Sequence, residues 1–172
     1  DPRLQNNPFV HEDVVAHPSG VADAVTPDAS APRAYQRARK LADTLLAEGK
    51  YRDALATLSV FYLSPDLTSA EHTELLNLLD PLAGRVIYSR EHLVEPAYTV
   101  RRNETLGEIS QQYNVPMELL QKINAIDTPN VLVPGTTLKV VRGPFRAEVN
   151  VQAQELTLFL NELYAGRFPI TI

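Results

Sequence analysis

The stretch that decides the fold is residues 98–141, YTVRRNETLGEISQQYNVPMELLQKINAIDTPNVLVPGTTLKVV. Residues around Val100 alternate in character, which predicts a short strand, and a second strand is predicted around Leu138. Thr105 and Glu108 have the spacing of a capping box, in which the hydroxyl and the carboxylate satisfy the first free amides of a helix. A helix is therefore predicted to begin directly after Thr105.

Two amphipathic helices are predicted between the strands. A break at Pro116 separates them, because proline suits the first turn of a helix but not its interior. The second helix is predicted to end near Asn124, and Pro134-Gly135 supplies turn chemistry before the closing strand. The order strand, helix, helix, strand indicates one small domain. Its apolar positions lie at helical spacing in each helix: Leu106, Ile109 and Tyr113 in the first, then Leu119, Leu120 and Ile123 in the second.

These residues resemble the LysM family, the lysin-motif carbohydrate-binding module, over residues 97–142. The motif positions that carry the resemblance are Tyr98, Val100, Thr105, Leu106, Asn124, Pro134, Gly135 and Leu138. Asn103 and Glu104 stand where the family usually has Gly-Asp. Because Asn tolerates a positive φ and Glu keeps the carboxylate, the loop geometry is expected to survive.

The resemblance implies a shallow groove for a glycan that contains N-acetylglucosamine. One wall of the groove would be Asn103, Glu104, Thr105 and Leu106. The other wall would be Ile126, Asp127, Thr128, Pro129, Asn130 and Val131. For Leu106 a core position is favoured over ligand contact, since leucines on a helix face usually point inward. No catalytic residue, metal or cofactor is implied, and a single shallow groove predicts weak affinity.

Composition excludes several other functions. The chain has 172 residues and a net charge of −5, which argues against nucleic-acid binding because that function needs clustered Lys and Arg. It has no cysteine, so neither disulfides nor a thiol nucleophile can form within it. No apolar run approaches the length of a membrane span. The first residue is Asp1 rather than Met, which suggests an upstream segment.

The N-terminal part divides into an arm and a helical segment. Residues 1–32 are rich in proline and are predicted to be either a spacer or an unstructured tail. Residues 33–92 predict three helices, and the first two, joined at Gly49, resemble a tetratricopeptide-type helical hairpin. Pro81 is predicted to kink the third helix or to end it early. A supporting role for these helices is favoured over a peptide-binding surface, because a solenoid normally needs at least about three repeats.

Residues 144–172 predict a short β-meander, with a turn region at 162–166. This segment resembles the opening strands of the L,D-transpeptidase domain, whose catalytic cysteine motif would lie downstream and matches no position here. Exposed strand edges are expected to favour self-association. His11-Glu12-Asp13, His72 and His92 are each interpreted as solvated surface groups rather than as ligands or catalysts.

The predicted fold class is α+β, with a three-helix segment, a βααβ domain and a β-meander. The favoured function is a peptidoglycan-binding, non-catalytic N-terminal part of a bacterial cell-wall L,D-transpeptidase. It would lie in the cell envelope, with anchoring by an upstream segment as one option. The alternative is an envelope scaffold in which the helical hairpin binds a protein partner and the LysM unit is structural.

Overall fold

The computed structural model describes residues 30–129 and 131–171, so most of the predicted arm lies outside the described residues. It confirms a mixed α+β fold. The helices are α1 (Ser30–Ala47), α2 (Tyr51–Ser59), α3 (Ser69–Ala83), α4 (Leu106–Tyr113) and α5 (Met117–Asn124), with a π-helical turn at Gly84–Tyr88. The strands are β1 (Tyr98–Thr99), β2 (Thr137–Leu138), β3 (Phe145–Asn150), β4 (Glu155–Leu160) and β5 (Leu163–Pro169).

The three N-terminal helices follow the predicted local signals, with two differences. Gly49 lies in the turn between α1 and α2 and has the positive φ, 74°, that favours glycine after a helix. Thr68 caps α3 in a complete capping box with Glu71. However, α3 continues through Pro81 to Ala83 and passes into the π-helical turn, so the prediction of an early end is wrong. The second difference is at Leu41: its spacing from Tyr35, Ala38, Ala42 and Leu45 predicts a place on the apolar face of α1, but it is 51% exposed.

Residues 145–169 form the predicted meander, in the strand order β3-β4-β5 with antiparallel pairing throughout. The turn predicted at 162–166 is wrong, because Leu163 already pairs with Leu160 and the connection is the dipeptide Asn161-Glu162. Asn161 adopts a φ of 54°, a conformation that Asn tolerates and that tight hairpins require. Leu163, Tyr164 and Ala165 therefore belong to the strand and are buried in the core.

One face of this sheet packs on α2 and α3, so the segments before and after residues 98–141 form one packed body. Phe159 and Tyr164 are 3% and 0% exposed, and the Tyr62 ring packs against both. Five polar contacts cross this interface: the Tyr62 and Thr157 hydroxyls at 2.7 Å, the Tyr164 amide to Ser59 Oγ at 2.9 Å, the Tyr88 hydroxyl to the Ala165 carbonyl at 2.6 Å, the Tyr164 hydroxyl to Asp80 Oδ1 at 2.5 Å, and Arg167 Nη2 to Asp80 Oδ2 at 3.3 Å.

Residues 98–141 form the predicted βααβ unit between these two segments. β1 pairs antiparallel with β2, with Tyr98 opposite Leu138. Helices α4 and α5 pack on each other, and their apolar residues Ile109 and Leu120 are each 0% exposed. Gly135 makes the predicted turn with a φ of 88°, and its amide donates to the Val100 carbonyl at 2.8 Å. The hydrophobic core therefore continues from the helical segment through this unit.

Candidate functional site

The loop between β1 and α4 is braced by its own polar side chains. Asn103 has a φ of 60°, as expected for a residue in the place of glycine. Glu104 accepts hydrogen bonds from the Tyr98 hydroxyl at 2.5 Å and from the Arg101 amide at 2.9 Å. These two donors, the Tyr98 hydroxyl foremost, hold the pKa of the Glu104 carboxyl below its ordinary value. The Glu104 carboxylate, in the place where the family usually has aspartate, thus makes one hydrogen bond to β1 and one within this loop.

The next two residues of this predicted wall serve the helix. Thr105 and Glu108 form the predicted capping box, with Glu108 amide to Thr105 Oγ1 at 3.2 Å and Thr105 amide to Glu108 Oε2 at 2.8 Å. Leu106 is 0% exposed and lies in the core. The side chains of this wall therefore set its shape, and the amides of Leu106 and Gly107, which have no carbonyl partner inside the helix, supply its free donors.

The loop between α5 and β2 presents more side-chain surface. The Ile126 amide donates to the Gln121 carbonyl at 2.9 Å, and the Ile126 side chain is half-buried. Asp127 and Thr128 are exposed, and Pro129 is partly buried. Asn130 lies outside the described residues.

Two valines give this loop an apolar surface. Val131 is 68% exposed and Val133 is 66% exposed. The Val131 amide donates to the Thr128 carbonyl at 3.2 Å, which folds the loop back on itself. Val133 was not among the predicted site residues, although it follows Val131 at the spacing that places both side chains on one side of an extended segment.

A buried lysine that was not predicted from the sequence joins this unit to the rest of the protein. Lys139 is 1% exposed, and its ammonium donates to the Val86 carbonyl at 2.9 Å and to the Glu91 carbonyl. Burial lowers the pKa of Lys139 to about 8, although the nearby Glu91 carboxylate opposes that shift. The sequence Lys139-Val140-Val141 does not predict a buried ammonium, because the carbonyls that accept from it belong to Val86 and Glu91, far away along the chain.

Two clefts lie away from the predicted walls. One, of about 540 Å³, separates α5 from the open face of the sheet and is lined by Tyr88, Pro116, Glu118, Leu119, Lys122, Ile123, Phe145, Leu158 and Phe168. The second, of about 510 Å³, lies near Asp80 and Arg167, and shares Tyr88 and Phe168 with the first. The alternation of apolar residues along the strands of the meander could have predicted that one face of the sheet is apolar.

The histidines stand apart from any reactive group that the structure describes. His72 lies in the first turn of α3, with its ring 6.0 Å from that of Tyr62, and His92 is exposed in a loop. The triplet at 11–13 lies outside the described residues. Within residues 30–129 and 131–171, no three His, Cys, Asp or Glu side chains cluster as metal ligands would. In the same ranges, every helix is too short or too polar for a membrane span.

Comparisons with known proteins identify the central unit. Residues 98–141 match the LysM domain model, so this part of the chain is a LysM domain. No curated protein matches the chain. Among solved structures, it is similar to the MoCVNH3 variant Mo0v in complex with (N-GlcNAc)4, at 18% identity, over 49% of this chain and 64% of that chain, with a TM-score of 0.29. The chain thus spans less than two thirds of that protein, and a similarity of this size does not establish a common fold.

Proposed function

We propose that the LysM domain of residues 98–141 binds a glycan containing N-acetylglucosamine, between the β1–α4 loop and the α5–β2 loop. The observation that carries this proposal is the match of the whole βααβ unit to the LysM domain model, since LysM is a binding module. The described side chains are compatible with binding rather than turnover. The two carboxylates nearest the first loop, Glu104 and Glu108, are already engaged in loop closure and helix capping.

The two loops offer complementary chemistry to an acetamido sugar. The acetamide has one donor, one acceptor and a methyl group. The free amides at the start of α4 suit its carbonyl oxygen, because amides at a helix N-terminus favour partial negative charge. Val131 and Val133 suit the methyl and the apolar face of the ring, since covering exposed valine removes apolar surface from water. Leu106 and Glu104 act in this proposal as positioning residues.

An NMR titration tests the proposal. Addition of chitotetraose to the labelled chain should shift the amides of residues 103–107 and 126–133 and leave those of α1 and α2 unchanged. Cellotetraose, which lacks the acetamide, is the matched control and should produce no comparable shifts. If chitotetraose shifts no amide in either loop at millimolar concentration, the binding proposal fails.

We further propose that the ligand in the cell is peptidoglycan and that the chain is the N-terminal part of an envelope L,D-transpeptidase. The support is the order of the parts, in which a LysM domain is followed directly by the β3–β4–β5 meander. Co-sedimentation with purified peptidoglycan sacculi tests the ligand. The parentage is tested by assaying the protein encoded by the complete gene for cross-linking of stem peptides, with a thiol-alkylating reagent as inhibitor. Absence of alkylation-sensitive cross-linking would refute the parentage and leave glycan binding untouched.

A scaffold role is the second candidate, and one observation favours it. Val60 and Leu63, in the turn that follows α2, are 70% and 60% exposed and present apolar surface on the helical segment. In that case a pull-down from an envelope extract should recover a defined protein, and the variant V60S/L63S should lose it. Equal recovery by both proteins would refute this use of the surface.

A further inference from the structure

The outer edge of β3 has an unpaired row of backbone groups. β3 pairs with β4 on one side only, and the Asn161 amide donates to the Pro144 carbonyl at 3.1 Å. In an antiparallel ladder the bonded and non-bonded pairs alternate, so the even-numbered residues of β3 bond to β4. The amides and carbonyls of Phe145, Ala147 and Val149 therefore point away from the sheet. In the part of the chain that the structure describes, they have no other hydrogen-bond partner.

The side chains on either side of Ala147 are complementary in pairs: two are apolar, and two carry opposite charges. On one face, Arg146 and Glu148 flank Ala147, form an ion pair and are 49% and 35% exposed. The guanidinium of Arg146 lies 4.4 Å from the centre of the Phe159 ring, which fixes its direction. On the other face, Phe145 and Val149 flank Ala147 in the same way, and Val149 is 56% exposed. The edge is thus complementary to its own copy when it is rotated by a twofold axis.

We propose that two copies of this chain pair edge to edge through β3, antiparallel, about a twofold axis at Ala147. The outward amides and carbonyls then meet as hydrogen-bonded pairs, with Ala147 opposite the partner's Ala147 and Phe145 opposite the partner's Val149. Arg146 lies opposite the partner's Glu148, and the reverse pair forms across the axis. The two three-stranded sheets become one continuous sheet.

The charges select this register over its neighbours. The outward amides and carbonyls belong to alternate residues, so a register that keeps them paired can differ only by sliding one strand by two residues. Each such slide moves the twofold axis by one residue. One such step places Arg146 opposite the partner's Arg146, and the opposite step places Glu148 opposite the partner's Glu148. Like charges directly opposite each other destabilise a strand pair, whereas opposite charges stabilise it. The pairing about Ala147 satisfies both the backbone and the charges.

Charge exchange tests the register. Sedimentation equilibrium of the chain should show a monomer–dimer equilibrium with a Kd in the micromolar-to-millimolar range, as expected for a small interface of about one strand. Arg146→Glu and Glu148→Arg should each raise the Kd about tenfold or more, because each places like charges in contact. The double variant R146E/E148R should restore the dimer. A monomer at all concentrations up to about 1 mM would overturn the proposal, as would failure of the double variant to recover.

Disulfide cross-linking tests the position of the twofold axis. The chain has no cysteine, so a single introduced cysteine can pair only with its own copy in the partner. Two Cα atoms in a hydrogen-bonded antiparallel pair lie about 5.5 Å apart, within disulfide range. Oxidised Ala147→Cys should therefore give a covalent dimer, whereas Val149→Cys should not, because the two copies of residue 149 lie on opposite sides of the axis. Ala147→Pro should abolish the dimer with little loss of monomer stability, since the lost amide faces solvent in the monomer. Equal cross-linking at 147 and 149 would overturn the twofold pairing.

Discussion

Asn124 holds Lys139 by both of its backbone groups. The Asn124 side-chain amide donates to the Lys139 carbonyl at 2.8 Å, and its oxygen accepts from the Lys139 amide at 2.7 Å. The same amide also donates to the Leu120 carbonyl at 2.9 Å. One side chain at the end of α5 thus replaces a missing strand neighbour beside β2.

Replacing Asn124 is expected to destabilise the LysM domain strongly. Asn124→Ala leaves the amide and carbonyl of buried Lys139 without partners, and should lower the free energy of unfolding by about 3 kcal/mol. Urea denaturation followed by circular dichroism measures the change. Gln112→Ala is the control, because Gln112 is exposed on α4. A loss under about 1 kcal/mol for the Asn124 variant would contradict the clamp.

The buried ammonium of Lys139 should make stability rise with pH. Its pKa is about 8 in the folded protein and 10.5 in the unfolded chain. Below pH 8 both states are protonated, and the folded state bears the cost of burying the charge. Above pH 8 the folded state releases the proton while the unfolded state retains it, so the free energy of unfolding should increase by about 1 kcal/mol between pH 7 and 9.

Urea denaturation across that pH range measures this effect. Lys139→Met, which keeps the length of the side chain without the charge, should lack the increase. The same slope in both proteins would show that another group is responsible. The range stops at pH 9 because the tyrosines of the unfolded chain, with an ordinary pKa of about 10, ionise above it and lower the stability.

The helices and the meander are expected to unfold together. The hydroxyls of Tyr62 and Thr157 lie 2.7 Å apart across their interface, and both residues are buried. A double-mutant cycle with Tyr62→Phe and Thr157→Val should therefore give a coupling free energy of about 1 kcal/mol. Additive effects of the two substitutions would mean that this contact contributes nothing to the interface.

The junction between the LysM domain and β3 should not tolerate a side chain at Gly143. A Cβ atom there would collide with the backbone carbonyl of Asn114, which cannot move as a flexible side chain would. Gly143→Ala should lower the free energy of unfolding by about 3 kcal/mol, the upper part of the range for overpacking. Gly84→Ala is the matched control, since Gly84 sits in helical backbone with open space where a Cβ atom would lie. It should be neutral or stabilising by about 0.5 kcal/mol.

Val131 should contribute to glycan affinity without contributing to stability. At 68% exposed, it loses little when the protein unfolds, so Val131→Ser should leave the melting temperature unchanged. Loss of its apolar contact with the sugar should raise the Kd for chitotetraose about three- to tenfold. Val60→Ser is the control, because Val60 is equally exposed on the helical segment. Isothermal titration calorimetry measures both, and equal affinities would remove Val131 from the site.

The local signals in the sequence predicted the elements well, and the long-range ones were missed. The capping box at Thr105 and the turn at Gly135 depend on residues a few positions apart, and both are found as predicted. The prediction failed at 162–166, where turn-like residues form β5 because Tyr164 gains a buried position on α2 and α3. Tertiary burial there outweighs local propensity.

The candidate site was predictable in outline only. The family pattern placed the two loops, but the commitment of Glu104 to Tyr98 and the full burial of Leu106 depend on side-chain packing. Lys139 was unpredictable for the same reason, since its carbonyl partners lie about fifty residues earlier in the chain. Val133 was within reach of the sequence, because it repeats the apolar character of Val131 two positions on.

The LysM domain is connected to the helical segment through residues 89–97 and to the sheet at Phe145, and the helical segment and the sheet also contact each other, since the Tyr88 hydroxyl donates to the Ala165 carbonyl. A glycan strand under tension would consequently pull on two covalent connections at once. Force applied to the sugar would then be shared between the sheet and the helical segment, unlike the case of a domain attached by one flexible linker.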